Sequence, residues 1–172
     1  PLRAATSLFP QDPDAPQTAL SAIGQFEVRA TALQMAMVAA SIGNSGRTMN
    51  PYLVQEIRGP DLSILQTTEP SQFEDALKPS NSLSLTEMLV NVVENGTGSN
   101  AQIAGVRVAG KTGTAQTGND SPSVAWFISF APAAAPKVAV AVVIEESGFA
   151  EVSGNGLAAP IAKEVMKAVL GS

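Results

Sequence analysis

The sequence predicts an α/β protein of the α+β type, in which an antiparallel sheet is flanked by helices. Two segments with helical periodicity begin at capping-box patterns in the first 95 residues, and three strand-like runs with short connections follow residue 104. Connections this short favour antiparallel neighbours, because a parallel crossover needs about a dozen residues or more. The 172 residues can hold one core of ordinary size, so we expect one domain or a part of one.

Composition removes several classes of function. Acidic residues outnumber basic ones by 15 to 10, and the basic residues are scattered, so we expect no nucleic-acid partner. Histidine and cysteine are both absent, which excludes Ser-His-Asp and Cys-His catalysis and Cys/His zinc sites, and we expect no metal and no cofactor. The longest apolar run, Val138 to Ile144, is far short of the roughly 20 residues that a membrane span needs.

The N-terminal part of the chain divides into a loop and a helix. Residues 1–26 are predicted to be an irregular loop segment, because they carry several prolines and little periodicity. Thr31 with Gln34 is a capping-box pattern, and apolar residues at helical spacing follow it. The helix is expected to stop at residues 43–46, which read Gly-Asn-Ser-Gly.

The middle of the chain holds a strand candidate and a second helix. Residues 52–57 suit a short strand, and the polar run from there to Pro79 is interpreted as a variable surface excursion. Ser84 with Glu87 forms the second capping-box pattern. The helix that it opens is expected to turn inward an apolar stripe of Leu85, Met88, Leu89, Val92 and Val93.

A three-stranded antiparallel sheet is predicted over residues 104–146. Its strand runs are 106–116, 124–130 and 137–145, and Gly118-Asn119-Asp120 marks the first connection. A C-terminal helix is predicted over residues 158–170, with Pro160 in its first turn. The side chains expected to face inward from this helix are Ile161, Val165, Val169 and Leu170.

One motif invites a nucleotide-binding hypothesis. Residues 105–112, GVRVAGKT, fit the phosphate-loop pattern at every position. Such a loop needs a strand before its first glycine and a helix that begins at the Lys-Thr pair. Residues 96–100 are instead loop-like, and residues 113–119 are too rich in glycine and threonine to begin a helix. We therefore reject a nucleotide site and assign Lys111 to Thr114 to an exposed strand.

On an exposed strand, these four residues suit a peptide-like substrate that carries a carboxylate. Lys111 supplies positive charge, and Thr112 and Thr114 supply hydroxyl donors. Gly113 removes a side chain that would obstruct a ligand lying beside the strand. The amide of Thr114 is a candidate for one half of an oxyanion hole. A solvated strand end with an isolated lysine would give the same short match.

The neighbouring residues favour the substrate-binding hypothesis. The run from Ala109 to Gln116, followed by residues 125–132 and 138–145, resembles the C-terminal half of the transpeptidase domain of penicillin-binding proteins. The resemblance runs from about Ile23 to the end of the chain and is greatest to the class B group. Two residues depart from the family pattern, Phe26 at a usual Gly and Ala32 at a usual Pro. Upstream landmarks resemble the same family in order: Ile23-Gly24-Gln25, Thr31 to Ala36, Asn44-Ser45-Gly46, Pro51 and Asn95 to Gly98.

The resemblance implies an incomplete penicillin-recognising serine transpeptidase/β-lactamase-like fold. The family's nucleophile belongs to a Ser-x-x-Lys motif, and no lysine of this chain has a serine three residues before it. The family's Ser-x-Asn element precedes Lys-Thr-Gly, whereas Ser153-Gly154-Asn155 follows it and is interpreted as a loop and helix entry. Residues 1–172 are therefore expected to be the C-terminal portion of one transpeptidase domain, without its nucleophile-bearing N-terminal portion.

The function implied by the resemblance is peptidoglycan D,D-transpeptidation through an acyl-serine intermediate that β-lactams also form. Lys111, Thr112, Gly113 and Thr114 would bind the substrate, and the Thr114 amide would complete the oxyanion hole. The implied partners are the N-terminal part of the domain, stem peptides, β-lactams and the division or elongation machinery. The implied location is the extracytoplasmic face of a bacterial membrane, with the anchor outside this chain. The chain alone is expected to be inactive.

Two rival functions stay open. A non-catalytic β-lactam sensor or a degenerate binding module would keep the same fold, since the deciding serine is not in this chain. A serine β-lactamase or carboxypeptidase would share the Lys-Thr-Gly chemistry, although the upstream landmarks favour the transpeptidases.

Overall fold

The computed structural model describes residues 4–116, 123–145 and 152–171. These residues form four helices and seven strands, together with a 3-10 turn at Ser99–Ala101 and a π-helical turn at Gly154–Ala158. The helices are α1 (Ala15–Ala22), α2 (Ala32–Gly43), α3 (Pro79–Asn95) and α4 (Ala159–Leu170). The strands are β1 (Arg47–Met49), β2 (Glu56–Arg58), β3 (Ile64–Thr67), β4 (Gln72–Asp75), β5 (Ala109–Ala115), β6 (Val124–Ala131) and β7 (Val138–Ile144).

The central sheet has the order β5-β6-β7, and both strand pairs are antiparallel. In the β5–β6 register, Gly113 lies opposite Trp126. The strands fall in the range 104–146 where the sequence predicts them, and the β-branched and aromatic residues of β6 and β7 are typical of a pleated, buried surface. The predicted connection at Gly118-Asn119-Asp120 and the last residue of that range, Glu146, lie outside the described residues.

Helices cover both faces of this sheet. Phe127 and Phe130 of β6 are fully buried and point to opposite faces, since successive strand side chains alternate. Phe127 packs in a cluster with Met166 of α4, whereas Phe130 packs in a cluster with Ala39 of α2. Burying each of these large apolar side chains stabilises the fold by about 1.5–3 kcal/mol. Helix α3 contributes to both clusters, through Val93 and Val90.

The prediction that residues 1–26 are irregular is wrong for α1. Asp14 caps this helix by accepting a hydrogen bond from the Gln17 amide at 2.8 Å, and the Gln17 side chain accepts from the Asp14 amide at 3.0 Å. Pro16 occupies the first turn, where its missing N–H costs nothing. The prolines suggested a loop, although one of them marks the beginning of a helix.

Helix α2 begins and ends where the sequence predicts. The Thr31 hydroxyl accepts a hydrogen bond from the Gln34 amide at 3.1 Å, which is one half of a capping box. The other half is absent, because the Thr31 amide donates instead to the Ser7 hydroxyl at 3.4 Å. Asn44 provides the C-terminal cap.

Helix α3 begins earlier than predicted. Its N-cap is Lys78 and Pro79 starts the helix, whereas the predicted cap Ser84 lies inside it and donates its hydroxyl to the Ser80 carbonyl at 3.1 Å. The fixed backbone angle of proline suits the first helical position. The predicted stripe is partly correct, because Val93 is buried while Met88 is 63% exposed.

The inward face predicted for α4 is wrong for three of its four residues, and only Leu170 packs against the core. Ile161, Val165 and Val169 are exposed by 48%, 42% and 59%. The buried side chains are Ala159, Ala162 and Met166, and Leu170 packs beside them. Alanines carry little side-chain bulk, so this face approaches the sheet closely and leaves the bulkier stripe outside.

The surface excursion is more ordered than predicted. The strand expected at residues 52–57 is limited to β2, which pairs antiparallel with β3, while β1 pairs antiparallel with β4. Every side chain of β3 and β4 is exposed. These short strands have no buried face, so their sequences show no alternation of apolar and polar residues that would have predicted them.

Candidate active site

Strand β5 carries Lys111 to Thr114 at an edge of the central sheet. Within the described ranges β5 pairs only with β6, so its other edge has no strand partner. Lys111 and Thr112 lie inside the strand, whereas a phosphate loop would require a helix to begin there. The rejection of the nucleotide site is consistent with this geometry, and the assignment of the four residues to a strand is confirmed.

Two carbonyl groups of β5 point toward that open edge. The Thr114 carbonyl accepts a hydrogen bond from the Gln25 side-chain amide at 3.4 Å, and the Thr112 carbonyl accepts one from Lys111 Nζ at 2.8 Å. In an antiparallel ladder the N–H and C=O groups of one residue point to the same side. The Thr114 amide therefore also points to the open edge, as a donor for a substrate oxygen requires.

The structure brings the Lys111 ammonium and the Thr112 hydroxyl together. Alternation along the strand puts these side chains on opposite faces, yet the long lysine stem bends around the edge. Lys111 Nζ lies 3.5 Å from Thr112 Oγ1. None of the ion pairs found in the described part of the chain involves Lys111. The two groups together offer a positive charge and a hydroxyl to an anion. The Thr114 hydroxyl makes no hydrogen bond to another residue within ranges 4–116, 123–145 and 152–171.

Thr97 is a site residue to which the sequence analysis gave no role. Its Oγ1 lies 2.9 Å from Thr112 Oγ1, and either hydroxyl is able to donate. Thr97 follows α3 in a loop that Gly98 anchors to the core, where an added Cβ would lie 3.3 Å from the Phe127 ring. The sequence signal was the landmark Asn95 to Gly98, which indicated a family loop without indicating a contact to Thr112.

Glycines allow a second loop to lie directly against β5. A Cβ on Gly154 would lie 2.2 Å from the Trp126 carbonyl oxygen. It would also lie 3.0 Å from the carbonyl oxygen and 3.1 Å from the amide nitrogen of Gly113. A Cβ on Gly113 would lie 3.2 Å from the Trp126 Cβ. Ser153 caps the π-helical turn by accepting a hydrogen bond from the Gly156 amide at 3.0 Å. Ser153-Gly154-Asn155 is thus a loop and helix entry, as interpreted, and it also supports the site strand.

Among the described residues, the two ionisable groups with a shifted pKa, Asp61 and Arg107, lie outside Lys111 to Thr114. The hydrogen bond from Arg107 to Glu87 raises the pKa of the arginine, and Glu94 adds to the effect. The hydroxyl and amide of Ser63 lower the pKa of Asp61. No group of three or more acidic side chains that could hold a metal ion occurs in ranges 4–116, 123–145 and 152–171. Over the same ranges, no helix is both long and apolar enough to cross a membrane.

A comparison with protein families decides the identity of the fold. The model of the penicillin-binding protein transpeptidase domain matches residues 10–167. The chain belongs to this family. The resemblance noted from the Lys-Thr-Gly strand and its upstream landmarks is thereby confirmed.

Relatives of known activity cover nearly the whole chain. This chain is 45% identical over 174 residues to the peptidoglycan D,D-transpeptidase PbpA of Mycolicibacterium smegmatis. The alignment covers 99% of this chain and 35% of that protein. It is 43% identical over 174 residues to PbpA of Mycobacterium tuberculosis, with the same coverage of both chains. The chain therefore spans about a third of the length of these curated relatives.

Solved structures agree with this assignment. Penicillin-binding protein A of M. tuberculosis, solved as a ceftriaxone acyl-enzyme complex, superposes with a TM-score of 0.92 at 43% identity. The match covers 98% of this chain and 39% of that one. The predicted class, a penicillin-recognising α/β fold with an antiparallel sheet flanked by helices, is confirmed.

Proposed function

We propose that this chain supplies the Lys-Thr-Gly-Thr strand to the active site of a D,D-transpeptidase that cross-links peptidoglycan stem peptides. The observation that carries the proposal is the open edge of β5, where the Lys111 ammonium lies 3.5 Å from the Thr112 hydroxyl. A ligand that adds to this edge as a strand would meet backbone donors and acceptors together with a positive charge. The PbpA relatives, which are D,D-transpeptidases, support this proposal.

The proposed chemistry is acyl transfer through a serine outside this chain. The serine oxygen attacks the carbonyl carbon of the D-Ala-D-Ala bond, the C–N bond breaks, and the terminal D-Ala leaves with a proton on its amine. An amine of a second stem peptide then attacks the acyl-serine, and the serine regains its proton. Lys111 and Thr112 hold the terminal carboxylate, with Thr114 beside them. The Thr114 amide donates to the oxyanion that develops during each attack.

The N-terminal part of the same domain is the proposed partner that completes the site. Among described residues, the apolar strand β7 is paired only with β6, which leaves its outer edge open. Open apolar edges are normally covered, because they pair readily with other chains. A strand from the N-terminal part would cover this edge. It would also bring the Ser-x-x-Lys and Ser-x-Asn elements that the family uses.

Location and further partners follow from the same proposal. A transpeptidase acts where peptidoglycan is built, on the extracytoplasmic face of a bacterial membrane. We propose that a segment outside this chain anchors it there, next to the division or elongation machinery. β-Lactams would acylate the same serine, and the M. tuberculosis relative, solved as a ceftriaxone acyl-enzyme complex, supports this.

The alternative is a non-catalytic β-lactam sensor or a degenerate binding module. Such a protein would keep β5 and its open edge. It would lack the serine that accepts the acyl group, or it would form the acyl-serine without passing the acyl group on to an amine. A serine β-lactamase would differ again, since it would release the adduct rapidly by hydrolysis.

The test is mass spectrometry of the full-length protein that carries this chain, here called the parent polypeptide, after incubation with a labelled penicillin. We expect a stable adduct on a serine outside residues 1–172. Losing a hydrogen bond to a charged group costs about 1.5–3 kcal/mol, so Lys111→Ala should slow acylation by roughly 10- to 100-fold.

Lys137→Ala is the matched control, because Lys137 is an exposed lysine outside β5. It should acylate at the wild-type rate. An unmodified, folded parent polypeptide would favour the degenerate module, and an adduct that forms and then disappears would favour a β-lactamase. Equal rates for Lys111→Ala and wild type would contradict the role given to Lys111.

A further inference from the structure

Ser153-Gly154-Asn155 has a contact that its role as a helix entry does not require. The Asn155 side-chain oxygen Oδ1 accepts a hydrogen bond from the Asn100 main-chain N–H at 3.0 Å. The Asn155 main-chain carbonyl accepts a second one from Asn100 Nδ2 at 2.9 Å. Asn155 Nδ2 also donates to the Ser99 hydroxyl at 3.3 Å. These contacts, here called the Asn100–Asn155 clamp, join two loops that are 55 residues apart in the chain.

Both loops of the clamp touch the site strand. On one side Gly154 lies against the backbone of Gly113, where a Cβ would come within 3.0 Å of its carbonyl oxygen. On the other side, two residues before Ser99, Thr97 places its hydroxyl 2.9 Å from that of Thr112. The clamp therefore fixes the Thr97 loop relative to β5.

The position of Thr97 determines which way the Thr112 hydroxyl can donate its proton. A hydroxyl has one proton to donate and two lone pairs to accept with. When Thr97 donates to Thr112 Oγ1, the proton of Thr112 stays available for a substrate carboxylate. A loop that drifts away would let the Thr112 hydroxyl rotate and lose this orientation.

We propose that Asn155 is a positioning residue that holds the Thr97 hydroxyl on Thr112, so that Thr112 donates to the substrate carboxylate. The inference rests on the proposed function, because it assumes that Thr112 binds a carboxylate. Asn155 acts through Ser99 and Asn100, with which its hydrogen bonds are made. It follows the Lys-Thr-Gly strand in sequence, unlike the Ser-x-Asn element that the family places before that strand.

The experiment compares two ligands with the parent polypeptide, penicillin G and its methyl ester, which lacks the carboxylate. Asn155→Ala should lower the second-order acylation rate with penicillin G about tenfold, as expected for one lost hydrogen bond to a charged group. With the methyl ester it should acylate at close to the wild-type rate. A defect in overall folding would slow both ligands alike.

Two further variants locate the effect. Asn155→Asp keeps the oxygen that accepts from the Asn100 amide, so it should restore most of the rate with penicillin G. Thr97→Val removes the hydroxyl at nearly the same volume and should slow penicillin G as Asn155→Ala does. Combining the two changes should add little, because they act on one contact. Asn81→Ala, an exposed asparagine in the first turn of α3, is the control and should leave both rates unchanged.

The outcomes separate this inference from the proposed function. A wild-type parent polypeptide that penicillin G does not acylate would overturn both. An acylated wild type with an equally fast Asn155→Ala, or with equal losses for acid and ester, would overturn the role of Asn155 alone. If Asn155→Ala does not fold, Thr97→Val carries the test, and a loss that is not confined to the free acid would overturn the inference.

Discussion

Phe26 holds a backbone conformation that suits glycine. Its φ is 60°, in the left-handed region, where a bulky side chain is a true outlier. It follows Gln25, whose side chain reaches the Thr114 carbonyl of β5. The family pattern usually has Gly at this position, which explains why the backbone turns as it does. Strain of this kind persists where the surrounding structure determines the conformation, and here it lies next to the site strand.

The Phe26 ring is 44% exposed, so removing it also loses packing, and the strain is tested by comparing glycine with alanine at this position. Both changes remove the same ring, but alanine keeps a Cβ in the left-handed region. Relief of that conformation is worth about 1–2 kcal/mol, and the added flexibility of the unfolded chain offsets about 0.4–1 kcal/mol of it. We expect the free energy of unfolding of the parent polypeptide to be about 0.5–1 kcal/mol higher in Phe26→Gly than in Phe26→Ala, as denaturant titration would measure.

The control for that comparison is Leu53→Gly against Leu53→Ala. Leu53 is 83% exposed and does not have a positive φ. Glycine there should only loosen the unfolded chain and be slightly less stable than alanine. If glycine is also the less stable of the two residues at position 26, the left-handed turn carries no strain.

At the scale of elements, α4 presents two apolar stripes and buries the smaller one. Its alanines and Met166 face the sheet, whereas Ile161, Val165 and Val169 lie on the exposed side. Isolated surface apolar residues are common, but a stripe along one helix indicates a surface that another element covers. The relatives are about three times as long as this chain, so the N-terminal part of the domain is the proposed cover.

A serine at Val165 tests whether that cover exists. If the N-terminal part packs on the stripe, Val165→Ser should destabilise the parent polypeptide by about 1.5–3 kcal/mol, the value of one buried side chain. Ala168→Ser, at an exposed position of the same helix, should cost about 0.5 kcal/mol, as surface changes do. Thermal unfolding of both variants measures the difference. Equal small losses would mean that the stripe stays in water.

The sequence predicted the central sheet better than the helix faces. Strands β6 and β7 follow runs rich in β-branched and aromatic residues, and short connections separate the predicted runs. The buried face of α4 was mispredicted because the larger apolar side chains, such as Val165, were expected to be buried. The structure buries the smaller Ala162 instead, which lets the helix pack closer to the sheet. Helix α1 was missed because Pro16 signals both a loop and a helix start.

The site was predictable only where its residues are consecutive. Lys111 to Thr114 form one motif, and its chemistry follows from the strand that carries it. Thr97 and Asn155 reach this strand from loops distant in sequence, through contacts that only the folded chain brings together. A single sequence shows no sign of such tertiary hydrogen bonds, so no local rule could have assigned these residues.

At the scale of the whole molecule, the proposed function gives this chain one side of a catalytic site. It holds the proposed substrate-binding strand, whereas no Ser-x-x-Lys sequence occurs in its 172 residues. We expect this chain, produced alone, to form no adduct with labelled penicillin under conditions in which the parent polypeptide is fully acylated. Intact-mass measurement of both proteins makes the comparison. An adduct on any serine of the isolated chain would contradict the proposed division of the site.

The contact between Gly154 and β5 has a genetic consequence. A nonsense or frameshift allele that ends the protein between Lys137 and Val152 would still encode every residue of the Lys-Thr-Gly motif. Its product would lack the loop that lies on Gly113 and the helix that covers Phe127. Such alleles should behave as null, so a search for inactivating mutations should find them in codons 138–152, well beyond the motif itself.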